Sequence, residues 1–366
     1  MNVREYRFGD DEKIVSLLMT VFPGWPRLNT RTGSSDHWKW KYSSRVFDKK
    51  IIGVIEEDNV IVAVVHSVPN ILKLYSDEVP ACLGGDVAVH PNYRKKGYWE
   101  KTLDATNEAR VAFGVQYLYN VTGNPIVFNF FKKRENYLEV PFPLANYVLI
   151  DDIDLQLEKI PMDIPFVKLG YSLMKLVNHL FQKGHTVSPN VNIIESDLFP
   201  DEINDFYNEV SKNYDYIIRR DQDYLNWRFC DSRGGSYKIY TAMKEGKIIG
   251  YLAAIINEFN REYPVGYISD LLVLDGEEDA GIYLVQHALK YFKERDVNIV
   301  NFLAVRGSQN ERIIRRNEFL NSKIKIGLFY SYLSNSKLKD LIEKIDPKRV
   351  HISWSDTDTL PVKLGS

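Results

Sequence analysis

Three consecutive basic residues and a glycine stand between an apolar strand pattern and an amphipathic helix pattern in the first half of the chain. The strand pattern ends at Val89, and the turn that follows contains Arg94, Lys95, Lys96 and Gly97. A helix N-terminus offers unpaired N–H groups and a partial positive charge, which together attract phosphate oxygens. A glycine at this place can adopt a positive φ and let the backbone approach a ligand closely. The turn therefore predicts a pyrophosphate-binding site.

The surroundings of this turn favour a binding site over the alternative, a solvated basic turn that only caps a helix. A second strand and a second helix follow it, from Gln116 to Thr122 and from Pro125 to Arg134. Asn124 stands where the second strand ends. Two strands that part, with a helix N-terminus at the opening, form a place for a nucleotide-bearing acyl carrier.

An internal repeat indicates which elements position the turn. The segments HWKWKYSS (37–44) and YLNWRFCDS (224–232) align Trp40 with Trp227, 187 residues apart, and each leads into an antiparallel hairpin with a polar turn. The segments GGDVAVHP and SDLLVLDG then align Asp86 with Asp270, 184 residues apart. Two nearly equal offsets indicate a duplicated domain.

Each half of the chain predicts the same order of elements: helix, hairpin, strand, helix, strand, helix. This order is typical of an α/β layered domain with a mixed, mostly antiparallel sheet flanked by helices. We therefore expect two tandem domains at 1–150 and 191–335, a helical connector at 151–190, and a C-terminal helix and tail at 336–366. Within the connector, prolines and charges break the apolar stretch from Ile160 to Phe181, so it predicts a packed helix and not a membrane span.

Composition argues against several classes of protein. The chain has 366 residues, 45% of them hydrophobic and 26% charged, which is typical of globular domains. Its formal net charge of -2 favours neither a nucleic-acid partner nor an anionic membrane surface. Cys82 and Cys230 are far apart and have no CxxC partner, so we expect no disulfide framework, no metal site and a reducing, cytoplasmic location. The N-terminal segment does not predict a signal peptide.

The segment from Val87 to Trp99, VAVHPNYRKKGYW, resembles the pyrophosphate loop of the GCN5-related N-acetyltransferase (GNAT) superfamily. The loop of that family reads Gln/Arg-x-x-Gly-x-Gly/Ala after a V-x-P strand end, and Arg94 and Gly97 match it. Trp99 stands where the family usually has a small residue. The resemblance covers residues 3 to 150, and the second half is connected to it by the repeat.

The segment from Asn124 to Lys133 resembles a later motif of the same family, in which an asparagine contacts the CoA arm. The tyrosine that often serves as the catalytic acid on the following helix is replaced here by Phe130 or Phe131. The resemblance implies a tandem GNAT protein that transfers an acetyl group from acetyl-CoA to a primary amine of a small molecule or amino sugar, by direct attack in a ternary complex. Tandem chains with a degenerate second half resemble acyltransferases of cell-surface polysaccharide pathways. This resemblance concerns the fold and does not rest on particular site residues.

The resemblance also implies which residues would contact the cofactor and carry the chemistry. Backbone N–H groups near two valines of the strand would polarise the thioester carbonyl. A base must take the proton of the amine, and Asp86 is the candidate because it lies on the central strand; its repetition as Asp270 equally fits a structural role. Tyr119 and Tyr137 are candidate acids, with packing as the alternative for each. The implied CoA contacts are Val87, Val89, Arg94, Lys95, Lys96, Gly97, Tyr98, Trp99 and Asn124.

The second half lacks the basic turn. At the equivalent place it has four carboxylates, which complement the helix dipole by up to ~1 kcal/mol each and would repel a pyrophosphate. We therefore expect a degenerate second domain that walls the acceptor cleft or binds the acceptor. The four residues are Asp275, Glu277, Glu278 and Asp279.

The sequence is also compatible with two functions other than acetyl transfer. A donor such as aminoacyl-tRNA would keep the paired fold, but the weak net charge and the intact basic turn argue against it. A non-catalytic CoA-binding protein is compatible with Trp99 and with the two phenylalanines. The aromatic segment from Pro23 to Trp40 either lines an acceptor or packs on the sheet.

Overall fold

The computed structural model of the chain describes residues 1–43, 46–47, 49–159, 190–260, 262–358 and 360. The expected connector helix from Ile160 to Phe181 lies outside these residues. The predicted α/β class is confirmed, because the structure contains two mixed sheets flanked by helices.

The first half of the chain contains the predicted elements together with elements that the pattern did not predict. They are β1 (Asn2–Glu5), α1 (Asp11–Val21), α2 (Ser34–Lys41), β2 (Ile52–Glu57), β3 (Val60–Leu74), β4 (Asp77–Val89), α3 (Tyr98–Ala112), β5 (Tyr117–Thr122), α4 (Pro125–Lys132), β6 (Leu138–Glu139), β7 (Leu144–Ile150) and α5 (Ile153–Lys159). The predicted helix, hairpin, strand, helix, strand and helix are α2, β2–β3, β4, α3, β5 and α4.

The second half repeats this order, with a π-helical turn (Asn226–Cys230) at the end of its second helix. Its elements are β8 (Asn192–Ser196), α6 (Ile203–Val210), β9 (Tyr216–Ile218), α7 (Gln222–Leu225), β10 (Tyr237–Lys244), β11 (Lys247–Asn257), β12 (Val265–Val273), α8 (Glu278–Lys293), β13 (Ile299–Val305), α9 (Gln309–Arg316), β14 (Leu320–Asn321), β15 (Gly327–Ser331) and α10 (Lys337–Ile342).

The two predicted hairpins turn in the same way. Asp58 and Asn59 both have positive φ, +48° and +64°, and Glu245 and Gly246 have φ of +51° and +77°. Two successive residues with positive φ form the tight turn whose twist matches that of the flanking antiparallel strands. The polar and glycine residues at these places therefore fix the hairpin register in both halves.

The two sheets exchange strands. The first sheet has the order β1-β2-β3-β4-β5-β15-β6, with β9 paired to the end of β3, and the second has the order β14-β7-β13-β12-β11-β10-β8. Strand β15 of the second half thus lies between β5 and β6, and β7 of the first half lies between β13 and β14. The expected limits at residues 150 and 191 divide the sequence into its two copies, while each sheet is completed by a strand of the other copy.

The largest hydrophobic core lies between the two halves and is built by both of them. It includes Trp38 and Tyr42 beside α2, Tyr117 of β5, and Tyr251 of β11, all with at most 1% exposure. The described residues form three smaller cores, one under α8 and α9, one under α3 and α4, and one between Tyr98 and strands β2 and β3. Because the central core is shared, the cleft described below has fixed walls from both halves.

Candidate active site

Strands β4 and β5 part in the middle of the first sheet. They pair in parallel only from Ala81↔Tyr117 to Leu83↔Tyr119, and beyond Leu83 the edge of β4 has no strand partner in the described chain. A β-bulge lies at the same place, because Val65 pairs with Val87 while Ser67 pairs with Gly84. Bulges of this kind re-aim side chains and are common beside active sites.

Asn120 lies across this opening and was not predicted from the sequence. A Cβ added to Gly84 would come within 2.0 Å of the Asn120 side-chain oxygen, so the amide of Asn120 occupies the space that Gly84 leaves free. The sequence hinted at this role only by placing one amide side chain, that of Asn120, among the mostly apolar residues of β5. An amide in this position can bond to whatever passes between the two strands.

The basic turn forms an exposed loop at the start of α3. Gly97, the residue before the helix, has φ of +72° and ψ of +18°, the left-handed conformation that the sequence analysis expected there. The N–H groups of residues 95 to 100 have no hydrogen-bond acceptor among the described residues, and the first bond of the helix runs from Lys101 N–H to the Gly97 carbonyl. Six successive free donors, next to Arg94 and two lysines, form a site with strong preference for an anion.

The other predicted CoA contacts fall into three settings. Val87 and Val89 pair with β3 on one side, and β5 has parted from them on the other. Tyr98 turns its hydroxyl to Glu57 and packs against β2 and β3, so only its backbone N–H is free for a ligand. Asn124 caps α4, because its side-chain oxygen accepts the N–H of Ile126 at 2.9 Å.

Trp99 bridges the two helices that flank the opening. Its ring stacks on Phe130 of α4 with centroids 3.8 Å apart and planes within 10°. The guanidinium of Arg134 lies over the Phe130 ring, 5.1 Å from its centroid. The bulky Trp99 therefore packs against Phe130, one of the two candidates for the place of the expected tyrosine.

A cleft lies between the two halves, against α2 and the residues where β4 and β5 part. Val68, Asn70 and Leu83 of the first sheet line it. Trp40 and Trp227 form one wall with ring centroids 5.0 Å apart, and each indole N–H donates to the other residue's carbonyl, at 2.8 and 3.1 Å. Charged and titratable residues of both halves also line the cleft: Arg27, His37, Lys41, Arg228 and Asp358.

Lys41 joins two carboxylates at this cleft. Its ammonium lies 2.9 Å from Asp86 and 2.7 Å from Asp358, and the Tyr42 hydroxyl donates to Asp86 at 2.6 Å. Burial alone would raise the pKa of Asp86, but the charges of Lys41 and His66 bring it below its usual range. Burial and the neighbouring charge of Asp86 raise the pKa of Asp358, against the opposing charge of Lys41. Of the two carboxylates, Asp358 is thus the one poised to hold a proton.

Asp358 reaches the cleft from the C-terminal segment, which the sequence predicts only as a tail. Residues 351 to 357 are buried, and the segment is fixed by a capping box in which Ser353 and Asp356 bond to each other's backbone. The buried segment therefore holds the carboxylate of Asp358 beside Lys41. The sequence signal was weak, since an acidic residue near a chain end is usually solvated.

Two uncharged polar groups complete the cleft. Burial and the nearby charge of Lys41 lower the pKa of His37 to about 4, so the ring is neutral at pH 7. His37 donates from Nδ1 to the carbonyl of Arg233 at 2.8 Å, which leaves Nε2 as an acceptor. Asn70 is 4% exposed and donates to the Tyr119 hydroxyl at 2.8 Å, while its side-chain oxygen is buried without a partner in the described chain.

The three predicted catalytic residues do not meet in one place. Asp86 borders the cleft through Lys41, and Tyr119 contacts the cleft residue Asn70. Tyr137 packs against Phe131 in the core under α3 and α4, on the other face of the sheet. Burial raises the pKa of both tyrosines, well above the usual range for Tyr119.

The equivalent place in the second half is filled by the protein's own side chains. Strands β12 and β13 also part, after Ile268↔Phe302, but Asn310 of α9 donates to the Leu271 carbonyl at 2.9 Å. Helices α8 and α9 touch so closely that a Cβ on Gly281 would lie 2.6 Å from Ile313. The acidic residues at the start of α8 are paired with Lys244, Arg312 and Arg316.

Comparison with known families identifies the repeat. A family described as "Acetyltransferase (GNAT) domain" matches residues 2–121, and one described as "Acetyltransferase (GNAT) family" matches residues 201–316. The chain belongs to the GNAT superfamily. It is a tandem GNAT protein, as the sequence motif predicted, and both the fold and an acyltransferase activity in general follow from this membership.

Solved structures with the same fold cover most of this tandem GNAT protein. A probable N-acyltransferase from Enterococcus faecalis is 13% identical, with a TM-score of 0.60 over 90% of this chain and 72% of that one. Saccharomyces cerevisiae N-myristoyltransferase with bound myristoyl-CoA is 12% identical, with a TM-score of 0.60 over 90% and 80%. A GCN5-related N-acetyltransferase from Anabaena variabilis is 9% identical, with a TM-score of 0.59 over 91% and 73%.

The remaining comparisons concern sequence relatives, membranes and metals. No curated protein sequence matches the chain at a significant level. Among the described residues, no helix is long and apolar enough to cross a membrane. No group of three or more His, Cys, Asp or Glu side chains in the same residues could hold a metal ion.

Proposed function

We propose that this GNAT protein is an N-acetyltransferase that takes the acetyl group of acetyl-CoA and transfers it to a primary amine of a small molecule or amino sugar. The loop before α3 carries the proposal. It presents six free N–H donors at residues 95 to 100, a left-handed Gly97 and three basic side chains, and all of it is exposed to solvent except Tyr98 and part of Trp99. This is the chemistry that grips a pyrophosphate.

The opening between β4 and β5 gives the acyl group a path to the cleft. From the loop, the pantetheine arm would pass Asn120 and follow the unpaired edge of β4 beyond Leu83. N–H groups near Val87 and Val89 would then accept the charge that develops on the thioester oxygen. The acceptor amine would approach from the opposite side, through the cleft lined by Trp40 and Trp227.

Asp358 is the base that the geometry favours for this reaction. An acceptor ammonium gives its proton to Asp358, and the neutral amine then attacks the thioester carbon. The carbon–sulfur bond breaks as the tetrahedral intermediate collapses, and the second proton of the amine passes to the departing thiolate. A base works best with a pKa near the working pH, and the pKa of Asp358 is raised while that of Asp86 is lowered.

Asp86 would then act through Lys41. It holds the ammonium at 2.9 Å, and the same ammonium holds Asp358 at 2.7 Å. Tyr119 stays a candidate for proton delivery to the thiolate because it contacts the cleft residue Asn70. We place the protein in the cytoplasm, since the thiols of Cys82 and Cys230 are free and suit a reducing compartment.

Calorimetric titration with acetyl-CoA, followed by an acetyl-transfer assay on a panel of primary amines, tests the proposal. We expect saturable binding of one acetyl-CoA per chain, and amine-dependent release of CoA thiol. Binding without transfer to any amine would leave a CoA-binding protein and exclude the enzyme. Absence of saturable binding at millimolar acetyl-CoA would exclude both.

A further inference from the structure

Arg228 occupies the position in the second half that Lys41 occupies in the first. Each follows the repeated tryptophan, at Trp40 and Trp227, and each lines the cleft. The two cations differ in their surroundings. Lys41 is neutralised by two carboxylates, whereas no carboxylate among the described residues lies within ion-pair distance of Arg228.

The contacts of Arg228 leave part of its guanidinium free. Nη1 donates to the Tyr237 hydroxyl at 2.9 Å and Nε to the Ser355 carbonyl at 3.4 Å, but Nη2 has no hydrogen bond with the described residues. The side chain is half-buried beside Phe229 and Tyr237, so water screens its charge only in part. A half-buried guanidinium without an ion-pair partner gains stabilisation when an anion binds to its free nitrogen.

Two buried carboxylates in this part of the protein are held by another arginine, Arg220. Asp270 is the repeat counterpart of Asp86, but it is bonded by Arg220 at 2.8 Å and by His351 at 2.9 Å. Asp356 accepts hydrogen bonds from the Arg220 Nη2 atom at both carboxylate oxygens, at 2.7 and 2.8 Å, and from the Ser353 N–H at 3.0 Å. The internal network is therefore complete without Arg228, whose free nitrogen remains available to the cleft.

We propose that Arg228 binds a carboxylate or phosphate group of the acceptor, so that the substrates of this protein are amines that also carry an acidic group. A guanidinium holds either anion by charge-assisted hydrogen bonds. Arg27, which is exposed and also lines the cleft, adds positive charge at the same surface. The buried oxygen of Asn70 accepts an N–H of the amine end, near Asp358 and the opening between the strands.

This inference rests on the proposed acetyl transfer, and its test separates the two. O-phosphoethanolamine and β-alanine, the anionic amines, are compared with ethanolamine and propylamine, which lack the acidic group and are called the neutral amines. Binding is measured by calorimetry, and each amine is also tested as an acceptor with acetyl-CoA. In the parent protein we expect the anionic amines to bind at least about tenfold more tightly and to have a correspondingly lower KM, the size of a charge-assisted hydrogen bond.

Variants at Arg228 assign that preference to one side chain. Arg228→Gln should remove the preference for the anionic amines, and Arg228→Lys should keep part of it, while acetyl-CoA binds to both as it does to the parent. Arg295→Gln is the matched control, because Arg295 is an exposed arginine on the same half of the chain, stacked on Tyr291. The control should keep the full preference.

The outcomes are distinguishable. If neutral and anionic amines bind and react equally well in the parent, or if Arg228→Gln keeps the preference, the inference is overturned while acetyl transfer stands. If no amine is acetylated but the anionic amines still bind through Arg228, the proposed function fails and the anion site is supported.

Discussion

At the scale of single residues, two carboxylates around one ammonium have opposite properties. Asp86 lies on β4 with Lys41 and Tyr42 bonded to it, and its charge is stabilised. Asp358 faces the cleft, is more exposed than Asp86 (21% against 6% of the side chain), and holds its proton more tightly. Two acidic groups with pKa values pushed apart are a common basis for dividing structural and proton-transfer roles.

Asp358→Asn tests the base. We expect the rate of acetyl transfer to fall by about 100-fold or more, the usual contribution of a general base, with acetyl-CoA affinity unchanged. In the parent, kcat/KM should rise with pH through the raised pKa of Asp358, because only the ionised carboxylate accepts a proton. The variant should lose this dependence. Rates measured across pH check it, and an unchanged profile in the variant would remove Asp358 from the reaction.

Asp86→Asn tests the positioning carboxylate. The folded pKa of Asp86 is lowered, so its contribution to stability is present above the unfolded pKa and is lost as pH falls through the folded pKa. Removing one charge of a buried pair costs about 3–5 kcal/mol, so the free energy of unfolding should fall at pH 7 and the pH dependence should weaken. The rate should fall as well, with little loss of CoA affinity. A stable variant with full activity would contradict both roles.

At the scale of elements, the two repeat copies differ at one turn and one helix start. In the first copy the loop of residues 94–97 is exposed, and the N–H groups of residues 95 to 100 have no acceptor among the described residues. In the second, α8 begins with acidic residues that pair with neighbouring basic side chains, and α9 packs against it. The same supersecondary unit therefore offers an anion site in one copy and a closed helix pair in the other.

Matched substitutions in the two turns test this difference. Gly97→Val places a β-branched residue at φ of +72°, and Arg94→Glu places a negative charge against the pyrophosphate. We expect each to lose most of the acetyl-CoA affinity, while the fold survives. Reversing Glu277 and Glu278 to lysine should leave the affinity unchanged and cost about 1 kcal/mol of stability. Calorimetric titration of acetyl-CoA into the four variants and the parent measures these affinities and the number of sites per chain. Two sites per chain, or equal losses from both turns, would contradict a single cofactor site.

At the scale of the whole molecule, the halves are joined too closely to behave as separate domains. Each sheet contains a strand of the other half, and the repeated tryptophans exchange hydrogen bonds within one wall of the cleft. Separating the halves would break the pairing of β15 with β5 and of β7 with β13. The walls of the cleft are consequently fixed by the strand exchange.

Unfolding should be one cooperative transition. Strand exchange couples the sheets, so we expect the denaturant midpoints from tryptophan fluorescence and from far-ultraviolet circular dichroism to coincide. Trp40→Ala should lower the free energy of unfolding by about 3–5 kcal/mol, because Trp40 is 4% exposed and contacts both halves. Two separate transitions in the parent would show that the halves unfold independently.

Acetyl-CoA should stabilise the whole molecule. A ligand that binds only the folded state adds about 2.7 kcal/mol at a hundredfold excess over Kd, and this should appear as a higher melting temperature. Because unfolding is expected to be cooperative, both halves should gain the same stability although only the first binds. The Gly97→Val variant is the control and should show no such rise.

The local features of this protein are encoded in short stretches of its sequence. The repeat, the order of helices and strands, both hairpin turns and the left-handed conformation at Gly97 follow from hydrophobic periodicity and from residues that tolerate positive φ. These properties depend on neighbours within a few residues, so they could be predicted from the chain as written. The absence of the basic turn in the second copy was equally visible.

Contacts between distant parts of the chain depend on the three-dimensional arrangement of its strands and segments. The edge of a sheet accepts any strand with a suitable pattern, so the sequence could not show that β7 and β15 change places. The contact of Lys41 with Asp358 joins residues 317 positions apart, and it depends on where the buried C-terminal segment lies. Arg220, and not Arg228, forms the ion pairs with Asp270 and Asp356, which the sequence could not show. Pairings of this kind follow from topology, because charge and hydrogen-bonding capacity alone leave several partners possible.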